Sequence, residues 1–344
     1  MNPRIAVSVM TSLFLFGCGN VEAQDAAEPD ALSTLPQAVS VNGNAGFLVV
    51  YNVNYENLPT ASELCAGDWQ DLIYYMRTQE YSPDVFIVHQ MSGAAQAAEL
   101  ARYMQDNLPG LYDYVVAEAN PEAMNSPCGP AKDYQTNAII YRTGRLQPIS
   151  GTKATWQVYK GAGGSCVPNH QSRSIGVRMA FTDVITHKKV VLGSSHWPTA
   201  QEGPSSDRAC AEKNIQLTDT KMRGISDANL IVWGVDSNEG DYANGAYKDW
   251  YKQANSWIPS TIDYNWNDPV YEACSESRSC LDDNWTGGGG GRIDFLFFNA
   301  AATSSHGKTI TYNEGDAADL QFTGADRDDL NYSGHRAVSA RIHY

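Results

Sequence analysis

Basic residues are scarce in this sequence: 24 lysines and arginines stand against 39 aspartates and glutamates, a formal net charge of −15 over 344 residues. The resulting field repels polyanions at long range, so the composition argues against tight, sequence-independent binding to nucleic acid, although a local basic patch could still exist. Closely spaced cysteine or histidine pairs such as C-x-x-C are missing, which argues against a zinc site. The glycine run 287–291 lacks a Gly-Lys-Ser/Thr ending and predicts a flexible loop rather than a phosphate-binding loop.

The apolar stretch near the N-terminus, residues 5–16, is too short for an ordinary membrane span. It follows Arg4 and precedes Gly17-Cys18, so residues 1–18 have the pattern of a secretory signal. The cysteine at the predicted cleavage site resembles that of a bacterial lipobox, in which Cys18 would become lipidated. The alternative is a plain signal peptide that contains Cys18. Residues 19–46, rich in Ala, Asp, Glu, Asn and Ser, predict a flexible tether. We expect an extracytoplasmic protein, either a bacterial outer-membrane or cell-surface lipoprotein held to the membrane only through Cys18, or a secreted one.

Six cysteines remain without Cys18, an even number in a chain directed to an oxidising compartment, which predicts disulfide bonds. They are Cys65, Cys128, Cys166, Cys210, Cys274 and Cys280. Six cysteines allow fifteen pairings, and proximity singles out only the pair of Cys274 with Cys280.

Strands outnumber helices in the pattern of apolar residues. Helices are predicted over 62–80, 94–107 and 206–226, and strands over 47–53, 84–90, 112–118, 136–142, 154–159, 174–182, 189–195, 230–236 and 295–298. Segments 120–133 and 161–171 are predicted as loops. No internal repeat or clear linker divides residues 47–344, so we expect one α/β domain of largely antiparallel sheets covered by helices.

Polar side chains follow or open three of the apolar strands. Asp236 and Asn238 come where the strand 230–236 runs out, and their spacing of two puts them on the same face. Asp294 opens the next apolar strand, and His335 precedes the last one. Each residue alone could merely cap a turn. Together they predict a functional site at one end of the sheets.

A series of fragments, read in order, carries a resemblance to a known family. They are Val50-Tyr51-Asn52-Val53-Asn54, Asp84-Val85-Phe86-Ile87-Val88-His89-Gln90-Met91, Ala138-Ile139-Ile140-Tyr141-Arg142, Ser194-Ser195-His196-Trp197-Pro198, Gly234-Val235-Asp236-Ser237-Asn238, Arg292-Ile293-Asp294 and Ser333-Gly334-His335. Over residues 47–344 the chain resembles the endonuclease/exonuclease/phosphatase (DNase I-like) family. The resemblance implies a four-layer α/β/β/α sandwich of two mostly antiparallel sheets flanked by helices, and metal-assisted hydrolysis of phosphate esters.

The family motifs also imply roles for individual residues. Asp236 would orient or deprotonate the attacking water, and Asn238 would contact the phosphate. Asp294 and His335 match a buried pair in which the carboxylate keeps the imidazole protonated, so that it can stabilise charge on the phosphoryl oxygens. His196 matches a histidine that could serve the leaving oxygen.

Three further residues are candidates for binding the substrate. The resemblance places Asn52, the asparagine of the first strand, at the substrate and makes it a weak candidate metal ligand. It places Tyr141 among the substrate contacts as well. Arg173 precedes a strand and is either a phosphate contact or a solvent-facing arginine.

The sequence departs from the family where the metal should be held. The family's Gln-Glu pair reads Gln90-Met91 here, its Ser-Asp-His ending reads Ser333-Gly334-His335, and Asn54 stands where some members have an acid. Magnesium requires hard oxygen ligands, commonly carboxylates, and a methionine thioether does not replace them. We therefore expect a divalent metal, Mg or Mn, to bind weakly or not at all.

Two functions are consistent with these residues. The first is a secreted or lipid-anchored phosphoesterase, most simply a nuclease-like phosphodiesterase, acting as a monomer on a phosphate ester that could be a nucleic acid. The second is a catalytically impaired family member that binds a ligand or a protein outside the cytoplasm. The retained Asp236 and His335 favour the first function, and the replaced acids favour the second.

Overall fold

A computed structural model describes residues 39–199, 204–322 and 329–344, with side chains of the second segment described from residue 210 onward. The predicted leader 1–18 and most of the predicted tether lie outside these residues. Within them, no helix is both long enough and apolar enough to cross a membrane.

The described residues form seventeen strands and seven α-helices. The strands are β1 (Phe47–Asn54), β2 (Val85–Met91), β3 (Tyr112–Val116), β4 (Thr136–Arg142), β5 (Leu146–Pro148), β6 (Ala154–Gln157), β7 (Tyr159–Ala162), β8 (Ser165–Pro168), β9 (Ile175–Asp183), β10 (Lys189–His196), β11 (Leu230–Asp236), β12 (Tyr242–Ala243), β13 (Ala246–Tyr247), β14 (Trp266–Asn267), β15 (Asp294–Asn299), β16 (Thr303–Thr309) and β17 (Val338–His343). The helices are α1 (Gln70–Arg77), α2 (Ala94–Asn107), α3 (Pro204–Met222), α4 (Asp249–Ala254), α5 (Pro269–Cys274), α6 (Arg278–Asp283) and α7 (Tyr312–Asp319).

Two large sheets pack face to face. The first has the strand order β16-β17-β1-β2-β4-β3, and the second has the order β14-β15-β11-β10-β9-β5, with β6 also paired to β9. Within each sheet one central pair is parallel, β1 with β2 and β10 with β11, and the other neighbours are antiparallel. The predicted architecture of two mostly antiparallel sheets flanked by helices is confirmed.

Alternating side chains divide the apolar core into two parts, because neighbouring strand residues point to opposite faces. Val50 and Ile87 point from the first sheet toward the second sheet, where they join a core that continues to α3 and α4. Val53 and Val88 point the other way, against α1, α2 and α7. The sheets thus form the inner layers of a four-layer sandwich.

The parallel pairs bring the carboxyl ends of β1, β2, β10 and β11 to one edge of the sandwich. Asp236 at the end of β11 is in register with His196 at the end of β10 and with Asp294 at the start of β15. The segment before β17 arrives at the same edge, since Asn52 near the end of β1 pairs with Val338. This topology assembles residues that are distant in sequence.

Three local predictions differ from the structure. The predicted helix 62–80 forms only over Gln70–Arg77, because Cys65 has a left-handed φ of +53° and is tied to Cys128 by a disulfide bond. The predicted loop 161–171 contains β8, which forms a hairpin with β7 across a Gly163-Gly164 turn. Both turn glycines have positive φ, as tight hairpin turns require.

The third difference concerns the end of the tether. Asn42 is fully buried, and its side-chain amide donates to Asp84 Oδ2 at 2.6 Å and to the Phe47 carbonyl at 3.0 Å. The packed part of the chain therefore begins before residue 46, where composition alone had placed the boundary.

Three disulfide bonds connect the six cysteines. Cys274 is bonded to Cys280, as proximity predicted. The other pairs are Cys65 with Cys128 and Cys166 with Cys210, which join segments 63 and 44 residues apart.

Candidate active site

Asp236 is the centre of a buried polar cluster at the shared edge of the sheets. Its Oδ1 accepts the backbone N–H of Asn238 at 2.9 Å, and its Oδ2 accepts the side-chain amide of Asn54 at 2.7 Å. Burial raises the pKa of Asp236, but the positive charges of His196 and His335, when these are protonated, outweigh burial and hold the pKa well below its ordinary value. Asp236 is therefore a permanent anion near neutral pH.

His335 lies beside this anion and carries a positive charge. Its Nδ1 is 2.8 Å from Asp294 Oδ2 and 3.9 Å from Asp236 Oδ2. Burial lowers the pKa of His335, but the charges of Asp294 and Asp236 outweigh it and raise the pKa to about 10. No hydrogen-bond partner for Nε2 occurs among the described residues, so the Nε2–H of this imidazolium can be donated to a ligand.

His196 is held in the opposite charge state. Its Nε2 lies 3.0 Å from the side-chain nitrogen of Gln90 and 3.1 Å from that of Asn238. Nε2 also lies 3.4 Å from Asp236 Oδ2, whereas Nδ1 is buried without a partner in the described structure. Burial lowers the pKa of His196, although the charge of Asp236 opposes this. Burial thus favours the neutral form of the His196 ring.

Asn52 does not reach the open part of the site. It is fully buried between the sheets, where its Oδ1 is 2.9 Å from His89 Nε2 and its amide donates to the Phe295 carbonyl. Gly234 makes room for it, since a Cβ there would lie 2.0 Å from Asn52 Oδ1. Asn54, two residues on and on the same face, is the β1 residue that contacts Asp236.

Arg173 is a buried cation near the centre. Its side chain is only 6% exposed, its Nε donates to Gln171 Oε1 at 3.3 Å, and no described carboxylate forms an ion pair with it. Burial lowers the pKa of Arg173, and the charge of Asp236 opposes that change. A buried guanidinium without an ion-pair partner is suited to bind an anion. This position favours the phosphate-contact interpretation over a solvent-facing arginine.

Tyr141 lies at the other end of its strand. It is in register with Val85 at the start of β2, whereas the site is built at the end of β2. Its hydroxyl donates to Asp113 Oδ2 at 3.2 Å, and its ring packs on Phe181 in the core between the sheets. The structure does not bring Tyr141 to the site, because strand β4 runs antiparallel to β2 and only its first residues reach that edge.

Gln90, and not Met91, reaches the cluster from β2. The pairing of β2 with β4 shifts between Val88 and Met91, and Gln90 adopts a left-handed φ of +59° within this irregularity. Gln90 consequently turns its amide to His196, while Met91 packs in the outer core below the helices. The irregularity also cancels the simple alternation that would put His89 and Met91 on one face.

The side chains offer a poor set of donors for magnesium. Asp236, Asp294 and His335 have potential ligand atoms within 4.8 Å of one another. However, Asp294 Oδ2 binds His335 Nδ1, and both Asp236 oxygens accept amide hydrogens. Of these four oxygens only Asp294 Oδ1 is buried without a partner in the described structure. Magnesium commonly needs one or two carboxylates that face its waters, so these residues do not fit that ion.

Two small cavities lie beside Gln171, the residue next to Arg173 in the site. They have volumes of about 240 and 100 Å³ and share Lys160, Asn169 and Gln171 in their walls. Gln171 also accepts the hydrogen bond from Arg173, so these cavities are suited to hold the part of a ligand that extends beyond the central anion. Larger cavities of about 340 and 440 Å³ lie elsewhere, beside Arg341 and beside Trp257.

Known structures with the same arrangement of sheets share little sequence with this chain. A humanised Danio rerio TDP2 is 15% identical with a TM-score of 0.53, and the match covers 87% of this chain and 99% of that one. The human Nocturnin catalytic domain with bound sulfate is 12% identical with a TM-score of 0.54, covering 86% and 94%. The Bacteroides thetaiotaomicron mannosyl-6-phosphatase is 16% identical with a TM-score of 0.52, covering 86% and 100%. The chain has the endonuclease/exonuclease/phosphatase fold.

Neither a protein-family model nor a curated protein sequence matches this chain. The order and pairing of the strands therefore show a similarity that sequence comparison does not. At such low identity, only short fragments at the strand ends still match.

The structure adds three residues to those predicted for the site: Asn54, Gln90 and Glu56. Asn54 had a readable signal, because it lies two residues after Asn52 at the end of an apolar strand. Gln90 could not be predicted as a site residue, because the pairing irregularity in β2 changes the direction of its side chain. Glu56 follows the strand in a turn and contacts Gly334, which no local pattern indicates.

Proposed function

We propose that this protein is an extracytoplasmic phosphoesterase that hydrolyses phosphodiester bonds. The observation that carries the proposal is the charge arrangement around Asp236: a permanent carboxylate beside the imidazolium of His335, with the unpaired guanidinium of Arg173 near it. A phosphodiester is an anion, and its hydrolysis needs cations for the phosphoryl oxygens and an anion to orient the attacking water. The cluster offers both.

Each residue has a distinct task in this proposal. Arg173 binds the phosphoryl oxygens and neutralises the charge that grows on them in the transition state. Asp236 orients a water molecule for attack on phosphorus and takes its proton as the new P–O bond forms, a step for which its low pKa makes it a weak base. His335 gives its Nε2 proton to the leaving oxygen as the P–O bond to that oxygen breaks.

The similar folds support this proposal without deciding the substrate. TDP2 has been crystallised with a single-stranded DNA product, and the Bacteroides protein is a mannosyl-6-phosphatase. Because the donor set does not fit magnesium, we propose no step through a metal for this chain. A divalent ion, where bound, would supply additional positive charge at the phosphate.

The test compares hydrolysis of plasmid DNA and bis-p-nitrophenyl phosphate by the wild type and by Asp236→Asn, each with Mg, Mn, Ca or chelator. Asp236→Asn keeps the shape of the side chain and removes its charge, and we expect kcat to fall about 100-fold or more. Asp227→Asn is the matched control, because Asp227 is exposed in the turn before β11, at the end of that strand opposite to Asp236. If no condition gives turnover that Asp236→Asn removes, the protein is not this hydrolase.

A ligand-binding function is favoured by a different observation: Asn54, Met91 and Gly334 stand where the family has acids. Under this second candidate, the wild type binds bis-p-nitrophenyl phosphate in calorimetry without hydrolysing it. Arg173→Ala would then abolish binding while Asp236→Asn would strengthen it, because the carboxylate repels the bound anion.

We also propose that the protein works outside the cytoplasm, attached through a lipidated Cys18 or released. The three disulfide bonds support an oxidising compartment. Expression with Cys18→Ser tests the anchor: the wild type should fractionate with membranes and carry a lipid on Cys18 by mass spectrometry, and the variant should not. Equal fractionation of the two proteins would contradict lipid anchoring.

A further inference from the structure

Gly334 is a glycine whose backbone does not require glycine. Its φ lies outside the left-handed range that other residues avoid. A Cβ at this position would instead meet one neighbour, the carboxylate of Glu56: Oε2 at 2.6 Å, Cδ at 3.3 Å and Oε1 at 3.6 Å. The missing side chain at residue 334 is thus matched by a carboxylate that arrives from another part of the chain.

Two contacts hold the Glu56 carboxylate beside Gly334, which is itself exposed. The backbone N–H of Gly334 donates to Oε2 at 3.3 Å, and Cys128 Sγ, part of the disulfide with Cys65, lies 3.7 Å from Oε1. The backbone N–H of Glu56 donates to Asn54 Oδ1 at 2.9 Å. Glu56 is therefore linked to the residue that binds Asp236 as well as to the segment that carries His335.

The turn that presents Glu56 is strained. Glu56, Asn57 and Leu58 have successive φ values of +50°, +69° and +43°, a conformation that side chains other than glycine disfavour. The Asn57 amide donates to the Tyr134 carbonyl, and the Asn57 carbonyl accepts from Gln96. Strain of this kind persists only where surrounding contacts enforce it, and it is frequent at functional sites.

We propose that Glu56 is a positioning residue of the active site: its carboxylate fills the space left at Gly334 and holds the segment that carries His335 in place for the substrate. Asp294, Asp236 and Glu56 are the carboxylates whose charges act on His335, and His196 and His89 are the nearby ionisable rings. Of these carboxylates, Asp294 binds Nδ1 directly, and Glu56 acts through the backbone of residue 334 and through its charge. The catalytic part of this inference rests on the proposed phosphoesterase function.

A double-mutant cycle tests the pairing of Glu56 with Gly334. Glu56→Ala and Gly334→Ala should each lower kcat about 10-fold or more with little change in KM, as losses of orienting residues do. The first removes the carboxylate, and the second pushes it out of its space. In the Glu56→Ala background, Gly334→Ala should have no further effect, because nothing remains to collide with the new methyl group. Additive losses would overturn the proposal.

A swap provides the sharper test. Gly334→Asp in the Glu56→Ala background returns a carboxylate to the same space, so this double variant should recover most of the lost activity. Gly334→Asp alone should be poorer than wild type, since two carboxylates would compete for one space. Glu99→Gln on the exposed face of α2 and Gly43→Ala, where a Cβ meets no atom within 4 Å, are the matched controls.

Nitrogen NMR of the His335 ring separates failure of this inference from failure of the proposed function, because it needs no turnover. Glu56→Gln should lower the pKa of His335, and the swapped variant should restore it. An unchanged His335 in Glu56→Gln, in a protein that unfolds at the same urea concentration as the wild type, would show that Glu56 does not act on His335. Absence of hydrolysis with a shifted His335 would instead refute only the phosphoesterase function.

Discussion

The pair of Asp294 and His335 sets a measurable dependence of stability on pH. Asp294→Asn removes the negative charge from the buried carboxylate while keeping the shape of the side chain. His335 Nδ1, 2.8 Å from Asp294 Oδ2, then loses the partner that keeps the ring charged. The variant should hold a neutral His335 at pH values where the wild type holds an imidazolium.

The magnitude follows from the two pKa values. Asp294 and Asp236 raise the pKa of His335 from 6.5 to about 10 against the effect of burial, which stabilises the folded state by about 5 kcal/mol at pH 6.5. Burial raises the pKa of Asp294 from 3.8 to about 6, although the charge of His335 opposes this, and the buried charge costs about 3 kcal/mol. Together with Asp236, the pair therefore stabilises the protein by about 2 kcal/mol at pH 6.5. Asp294→Asn should lose up to this amount, because Asp236 still acts on His335 in the variant.

The sign of the pH dependence is fixed by the raised pKa of His335. Stabilisation by a histidine of raised pKa is complete below its unfolded pKa and is lost as the pH rises toward the folded pKa. Between pH 6.5 and about 10 the wild type should lose about 1.4 kcal/mol of unfolding free energy per pH unit relative to Asp294→Asn. The deficit of Asp294→Asn should therefore vanish near pH 8, and at higher pH the variant should be the more stable protein.

Urea unfolding followed by tryptophan fluorescence at pH 6.5, 7.5 and 8.5 measures this difference. Asp106→Asn is the control, since it removes an exposed ion pair with Arg102, and exposed pairs contribute about 0 to 1 kcal/mol. The reasoning would be refuted if Asp294→Asn were as stable as the wild type at pH 6.5, or if its deficit were the same at all three pH values.

Three further outcomes are expected from the contacts described above. Gly234→Ala places a Cβ 2.0 Å from Asn52 Oδ1 between the sheets, so it should lower the unfolding free energy by about 3 kcal/mol or more by urea titration; a loss below about 1 kcal/mol would contradict the close approach. Replacing both Cys166 and Cys210 by serine opens a link across 44 residues and should cost about 4 kcal/mol, and an unchanged urea midpoint would argue against this bond. Arg173→Lys keeps the charge but loses the forked donor, so it should raise KM for bis-p-nitrophenyl phosphate about 10-fold, whereas an unchanged KM would remove Arg173 from the phosphate site.

The strand pattern of the sequence was sufficient to predict the ends of the most buried strands. The apolar runs 230–236 and 295–298 predicted β11 and β15 within a residue or two. A strand that is buried on both faces needs apolar residues at nearly every position, so its limits are visible in the sequence. The same runs correctly marked Asp236, Asn238 and Asp294 as residues at one edge. The helix predicted over 94–107 is α2 as the structure has it.

The predictions were wrong where a tertiary contact overrides the local pattern. A disulfide and a left-handed Cys65 prevent a helix before Gln70, although the sequence there is compatible with one. Tyr141 was assigned to the site because its fragment resembles the family, but it lies in the core at the far end of β4. Gln90 displaces Met91 from the site because the pairing of β2 with β4 is irregular at that point.

By itself, the sequence determined which chemical groups stand at the ends of the buried strands, because the alternation and length of apolar runs fix where a strand must stop. Only the tertiary structure decided which of these groups contact one another. Asn54 contacts Asp236 from 182 residues away, and Glu56 fills the space at Gly334 from 278 residues away. Such pairings depend on the packing of two sheets and on the path of one strained turn, and no local pattern in the chain encodes them.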